Sequence, residues 1–221
     1  MLRLLFLSLI AIVCSSCQQS TIDPSATTVV KDVRIPDFMP KIARFASHGY
    51  VEFREDVNSP WQRLEVVNEG SGVVLSEISD EEVHAERRWK RPVRVVSQTN
   101  QNGKEIAAQI LAYGKNYDDS LYRPWPGPNS NTFMDGLLRE VDGLSGVMEH
   151  NGVGKDFRWR VGATAGGTGV ELQSPLLGAE LGFKEGANLT FLGLTAGVGV
   201  WPPAVKIPFL PQVPFRPEVK E

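Results

Sequence analysis

An α+β domain, an antiparallel sheet packed with two helices and followed by an extended proline-rich C-terminal arm, is the fold class this sequence predicts. Three observations carry it. Residues 48–54, 61–67 and 92–97 have the alternation or β-branched content of strands. Residues 102–114 and 133–141 repeat their apolar side chains every three or four positions. Prolines at 208, 211, 214 and 217 keep a period of three, which is that of polyproline II. With 221 residues, 42% apolar and 22% charged, the chain is long enough for one compact core plus tails.

The first residues read as an export address. MLR supplies a positive start, Leu4 to Val13 an apolar run, and CSSCQQS small residues around a cysteine. As a helix this run would reach only about 15 Å, half the hydrocarbon core, so a permanent span is disfavoured. The segment resembles bacterial lipoprotein signals. That resemblance implies cleavage after Ser16 and lipidation of Cys17, with Cys14 a rival site and an ordinary secretory cut the plain alternative. Gln18 after the cysteine resembles signals for onward sorting, which places the protein in the cell envelope, lipid-anchored at an outer membrane and facing the periplasm. Beyond Cys17 there is no further cysteine, hence no disulfide in the folded part and no thiol nucleophile.

Residues 1–16 are accordingly a signal peptide and 17–39 a polar tether beginning QQSTIDPSATT. A single domain covers 40–200 and the arm 201–221. In the first strand Gly49, Val51 and Phe53 share one face, and His48, Tyr50, Glu52 and Arg54 the other. The stretch DEEVHAERRWKR, with His84 inside it, reads as a solvated face of mixed charge. Val93, Val95 and Val96 mark a further strand. Ile106, Ile110, Leu111 and Tyr113 give the first helix, stopped at Gly114. Phe133, Met134, Leu137, Leu138 and Val141 give the second. After Gly143 the chain turns glycine-rich, and LLGAELGF, KEGA and NLTFLGLTAGV read as a hairpin of buried strands. The arm either wraps its own domain or docks a partner's aromatic groove.

The charge of −3 and the mixing of signs exclude a phosphate-neutralising face, so no nucleic-acid partner is expected. GATAGGTG (162–169) and GVGKDF (152–157) lack the Lys-Ser/Thr and the glycine spacing of phosphate cradles, and read as turns and close backbone packing. No cofactor and no metal is expected.

Candidate chemistry gathers at PGPNSNTF (126–133), where a loop meets the second helix. Asn129, Ser130, Asn131 and Thr132 are all N-cap residue types, and one of them would suffice. A helix N-terminus also favours an anion or a developing oxyanion. Ser130 would then need a base in hydrogen-bond reach, and His48 is the candidate.

This order of features, a histidine opening a strand, further strands, a region with Tyr117 and Tyr122, then Asn129-Ser130-x-x-Phe133, resembles the circularly permuted papain-like proteins. These include relatives of NlpC-type cell-wall peptidases and lecithin retinol acyltransferase. There the helix start reads Asn-Cys-x-x-Phe, so the resemblance implies Ser130 at the nucleophile position, His48 as base, and Gln62 or Glu65 as third member. It also implies a ligand of cell-wall peptide or lipid acyl type, met by Asn129, Asn131, Thr132, Tyr117, Tyr122 and Trp125. PGPNSNTF followed by GVGKDF further resembles the signature of a family of uncharacterised bacterial envelope proteins. Serine in place of cysteine leaves three outcomes: a degenerate module retained for binding, which is the leading expectation; a serine-dependent amide or ester hydrolase or acyltransferase; or a chance likeness. The question reduces to whether the Ser130 hydroxyl caps its own helix or faces His48.

Overall fold

The computed structural model describes residues 21–35, 46–67, 72–200 and 203–210. The signal segment, Cys17 and the arm beyond Leu210 lie outside them.

The chain is α+β and sheet-rich, with two six-stranded antiparallel sheets and, among the described residues, three helices. The first sheet holds β1 (Thr28–Arg34), β2 (Ser47–Phe53), β3 (Trp61–Val67), β4 (Gly72–Ile78), β5 (Arg87–Arg88) and β6 (Arg91–Thr99), in the spatial order β4-β3-β2-β1-β6-β5. The strand expected at 48–54 is β2, the one at 61–67 is β3, and the one at 92–97 lengthens to β6.

β1 is a correction. Residues 28–34 were expected in the tether, yet they form an inner strand paired to both β2 and β6, with every position through Val33 buried. The misreading has a physical cause, because the centre of TVVKDVR carries two charges, Lys31 and Asp32, that look solvated. Instead Lys31 Nζ lies 2.5 Å from Glu52 Oε2 and also donates to Val83 O, while Arg63 meets Glu52 Oε1 at 2.6 Å. Asp32 pairs with Arg94 at 2.5 Å. Buried charge is tolerated where it is matched in this way.

A short helix α1 (Asp80–His84) starts at a Ser79/Glu82 capping box. α2 (Gly103–Asn116) buries Ile106, Ala107, Ile110 and Gly114. α3 (Ser130–Glu140) buries Phe133, Met134, Leu137 and Leu138. These faces close on Val30, Val51, Phe53, Leu64 and Val66 of the first sheet, forming the main hydrophobic core. Gly136 is required there, since an added Cβ would lie 2.1 Å from the Tyr113 hydroxyl.

The second sheet runs in sequence order: β7 (Arg160–Ala163), β8 (Gly169–Gln173), β9 (Leu177–Gly182), β10 (Gly186–Phe191), β11 (Leu194–Gly199) and β12 (Ala204–Lys206). The expected hairpin is present in β9 to β11, but its leucines are not buried. Leu177, Leu181, Leu189 and Phe191 point outward and are exposed, while Glu180, Asn188, Thr190 and Thr195 point inward. What lies beneath explains this. Asp156 Oδ2 accepts from Thr190 Oγ1 (3.1 Å), Thr195 Oγ1 (3.2 Å) and Lys155 Nζ (2.5 Å). Arg139 of α3 meets Glu171 of β8 at 2.6 Å and Asp135 at 2.6 Å. A polar seam joins the layers, so the polar set of each strand turns in.

The described start of the arm lies on its own domain: residues 204–206 pair with β11, and Leu210 O then accepts from Asn151 Nδ2 at 3.0 Å, with His150 Nε2 3.1 Å away.

Candidate functional site

Two loops fasten the start of α3. Asn129 is the N-cap: its Oδ1 accepts the amides of Asn131 (2.9 Å) and Thr132 (3.3 Å), and Thr132 Oγ1 accepts the Asn129 amide (3.1 Å) in return. The Asn129 side-chain amide donates to Pro124 O (3.1 Å) and Val153 O (2.9 Å). Thr132 Oγ1 donates to Gly154 O at 2.5 Å. Gly154, at φ +84°, lets the loops approach this closely; a Cβ there would sit 2.5 Å from Asn129 Nδ2. PGPNSNTF and GVGKDF are therefore two sides of one clasp.

Asn131 ties that clasp to the sheet. Its Oδ1 accepts the Gly49 amide at 3.1 Å and its Nδ2 donates to Ser47 O at 2.8 Å, bracketing His48. The consequence for Ser130, at the first helical position, is that its hydroxyl is not a cap. Ser130 Oγ lies 3.0 Å from His48 Nδ1, and His48 Nε2 lies 2.7 Å from Glu65 Oε2. All three residues are more than nine-tenths buried. With Nε2 protonated toward Glu65, Nδ1 is left to accept the serine proton.

Glu65 is held from both sides. Arg88 donates to its Oε2 at 3.0 Å and its Oε1 at 2.8 Å. Burial alone would raise this carboxyl, but the bonds from His48 and Arg88 outweigh it and bring it down to about 2, so it is ionised at any ordinary pH. Gln62, the other candidate for the third position, pairs with Phe53 and Glu77 in the strand ladders, an odd number of residues from Glu65 and hence on the opposite face.

Above the histidine, Trp89 has its ring 5.4 Å from that of His48. It sits in the two-residue turn between β5 and β6, where Trp89 and Lys90 take φ +55° and +62°. Such turns normally use Asn and Gly, so this one is strained. Arg88 stacks on both Trp89 (4.4 Å) and Tyr50 (4.5 Å). Beside the histidine, Tyr50, Arg63, Glu82, Arg87, Arg88 and Trp89 enclose a pocket of about 340 Å³. Among the described residues no three metal-binding side chains converge, and no helix is long and apolar enough to cross a membrane.

The structure thus brings together Ser130 and His48 of the expected site residues. Asn129, Asn131 and Thr132 direct their polar atoms to the protein's own backbone. Tyr117 and Tyr122 pack against the core, Tyr117 edge-on to Phe133 at 4.9 Å, and Trp125 is exposed. Arg88 and Trp89 were not anticipated, because they lie in the stretch read as a solvated face. The available signal was an aromatic among four cations directly before a β-branched strand.

Among known proteins, one family model matches, over residues 28–157: the family described as Protein of unknown function (DUF3750). No curated protein and no solved structure matches the chain. The family match contains Ser130, His48, Glu65, Arg88 and Trp89, and stops before the second sheet.

Proposed function

We propose that this chain, which belongs to the DUF3750 family, is a serine-dependent hydrolase or acyltransferase acting on an amide or ester, with Ser130 as nucleophile, His48 as base and Glu65 as the residue that orients the base. The observation that carries the proposal is the continuous line from Ser130 Oγ to His48 Nδ1 (3.0 Å) and from His48 Nε2 to Glu65 (2.7 Å). A hydroxyl needed only for capping would point at its own helix, and here Asn129 holds that role.

In this reading Ser130 Oγ attacks the carbonyl carbon of the substrate as its proton passes to His48 Nδ1. The resulting imidazolium, stabilised by the Glu65 carboxylate, gives that proton to the leaving amine or alcohol as its bond to the carbonyl carbon breaks, leaving the acyl group on Ser130 Oγ. Water or an acceptor hydroxyl or amine, deprotonated by the same imidazole, then attacks the acyl carbon, the bond to Ser130 Oγ breaks, and the imidazolium returns the proton to Ser130. The amides of Asn131 and Thr132 are committed to Asn129, so among the first-turn donors the Ser130 amide is the one left by the cap for the oxyanion.

For the substrate, the adjoining pocket is lined by Arg63, Arg87 and Arg88 with Glu82, and Arg63 and Arg88 are each also paired with a buried carboxylate, Glu52 and Glu65. This polar lining suits a hydrogen-bonding acyl or peptide group, as cell-wall peptides carry. The permuted papain-like frame belongs to the same proposal. It is supported by a base on an early strand followed by a nucleophile at the first turn of a later helix. A lipid-anchored position in the envelope, from the signal at Cys17, would put the site in reach of such substrates.

The test is labelling with a fluorophosphonate probe. The wild type should label and Ser130→Ala should not. A wild type inert to the probe, with Ser130→Ala as well folded as the parent, would reduce the site to binding.

A further inference from the structure

Each long strand of the second sheet alternates, and each sends its apolar set away from the molecule. The outward residues line up across the sheet in register: Val161, Leu172, Ala179, Leu189 and Ala196 in one row, and Val170, Leu181, Ala187, Val198 and Val205 in the next. Val161 is 81% exposed, Leu189 69% and Leu181 62%. All residues of the two rows but Val205 line an open apolar trough of about 800 Å³. Six strands about 4.8 Å apart and five residues long make a flat footprint of roughly 400 Å² before side-chain relief. That equals the largest apolar patches that monomers leave open, which mark contact sites.

Charge indicates what the contact is. From Arg158 to Leu210 the chain has three carboxylates, Glu171, Glu180 and Glu185, and all are buried on the inner side. Its cations are Arg158, Arg160, Lys184 and Lys206; Arg158 is paired with Asp135 and Arg160 with Glu171, and Lys184, at the β9–β10 turn, is the exposed one. The charge this unit leaves to solvent is therefore that of Lys184, and it is positive. At the margins stand Trp159, 83% exposed, and Phe183, 60% exposed beside Lys184. Aromatic rings and a lysine at the rim of an apolar field are the composition of a surface that settles at the headgroup level of a bilayer.

Two other occupants fit less well. A second copy placed face to face would offer Lys184 no carboxylate, since Glu171, Glu180 and Glu185 are all buried. Of the C-terminal arm, Leu210, the last described residue, lies toward the first sheet, its carbonyl held by Asn151, whose own carbonyl accepts the Ser47 amide.

We infer that the outward face of β7–β12 docks on a bilayer surface containing anionic lipid, seating its apolar rows among the acyl chains with Lys184 at the phosphates. Strands of three to six residues are too short to cross, since spanning needs about nine to eleven, so the face lies on the membrane. The inference is independent of the chemistry at Ser130.

A lipid anchor would hold the chain at a membrane whatever this face does, so the informative readout is which residues touch lipid. The full chain is reconstituted in vesicles of two parts phosphatidylethanolamine and one part phosphatidylglycerol carrying a photoactivatable acyl chain, and adducts are mapped by mass spectrometry. Adducts on β8–β10 at least fivefold above those on β3–β4 are expected, falling at least threefold in Lys184→Glu. Adducts no denser on β8–β10 than on β3–β4 overturn the inference. So does protection of β8–β10 by a second copy, read as Leu189→Cys forming a disulfide-linked dimer in the same vesicles.

Discussion

Ser130 owes its orientation to its neighbour. Asn129 caps the helix and bonds two loop carbonyls, so Asn129→Ala should cost about 2 kcal/mol in urea unfolding, whereas Ser130→Ala, which removes no cap, should cost less. The reverse order would make the serine hydroxyl a structural group. Glu65 carries a pH signature. Its folded value of about 2 lies below the ordinary 4.5, so its contribution is complete above pH 4.5 and is lost as pH falls through about 2. The stability gap between wild type and Glu65→Gln should be on the order of 3 kcal/mol near pH 7 and shrink toward pH 2. A gap constant across that range would mean that the ionised carboxylate is not what matters. At this scale the sequence was informative about Ser130 and His48, because residue type and order along the chain are visible in it. The choice of Glu65 over Gln62 was not, since only the face of β3 that meets His48 decides it.

At the scale of elements, the turn of Trp89 and Lys90 and the face of α3 make opposite demands. Two non-glycine residues at positive φ cost about 1–3 kcal/mol each. Trp89→Asn with Lys90→Gly should therefore raise the melting temperature while slowing probe labelling at Ser130, because the ring over His48 is gone. Gly136→Ala should do the opposite of what helix propensity suggests and destabilise by about 1–3 kcal/mol, since its methyl would meet the Tyr113 hydroxyl. The strands and helices that were legible, β2, β3, β6, α2 and α3, are those whose buried face is apolar. β1 escaped because Lys31 and Asp32 are buried in pairs whose partners, Glu52 and Arg94, lie far off in sequence. In β9–β11 the alternation was visible but its sense was not: a period of two tells which residues share a face, and only the layer beneath tells which face turns in.

As a whole, the molecule is fastened in two different ways. Among the described residues the hydrophobic clusters draw only on the part before Glu149, whereas β7–β12 are attached through Lys155, Asp156, Asp135, Arg139 and Glu171. Lys155→Met should cost about 3–5 kcal/mol, because it leaves buried carboxylates unmatched, and urea should then release the second sheet at lower concentration than the first. Hydrogen exchange resolved by strand would read this directly. The polar seam also sets an order of dismantling that depends on the stress applied. Cooling weakens apolar contact and so loosens the β1–β3 and α2–α3 layer first. Strong acid strikes the ion pairs instead, Glu65 of β3 as well as Asp135, which sits below its ordinary 3.8 despite its burial, because Arg158 and Arg139 oppose that burial; the support of both is lost once pH falls below their ordinary values. Cold and acid should thus open the same protein through different contacts, the apolar core in the one case and the ion pairs of both layers in the other.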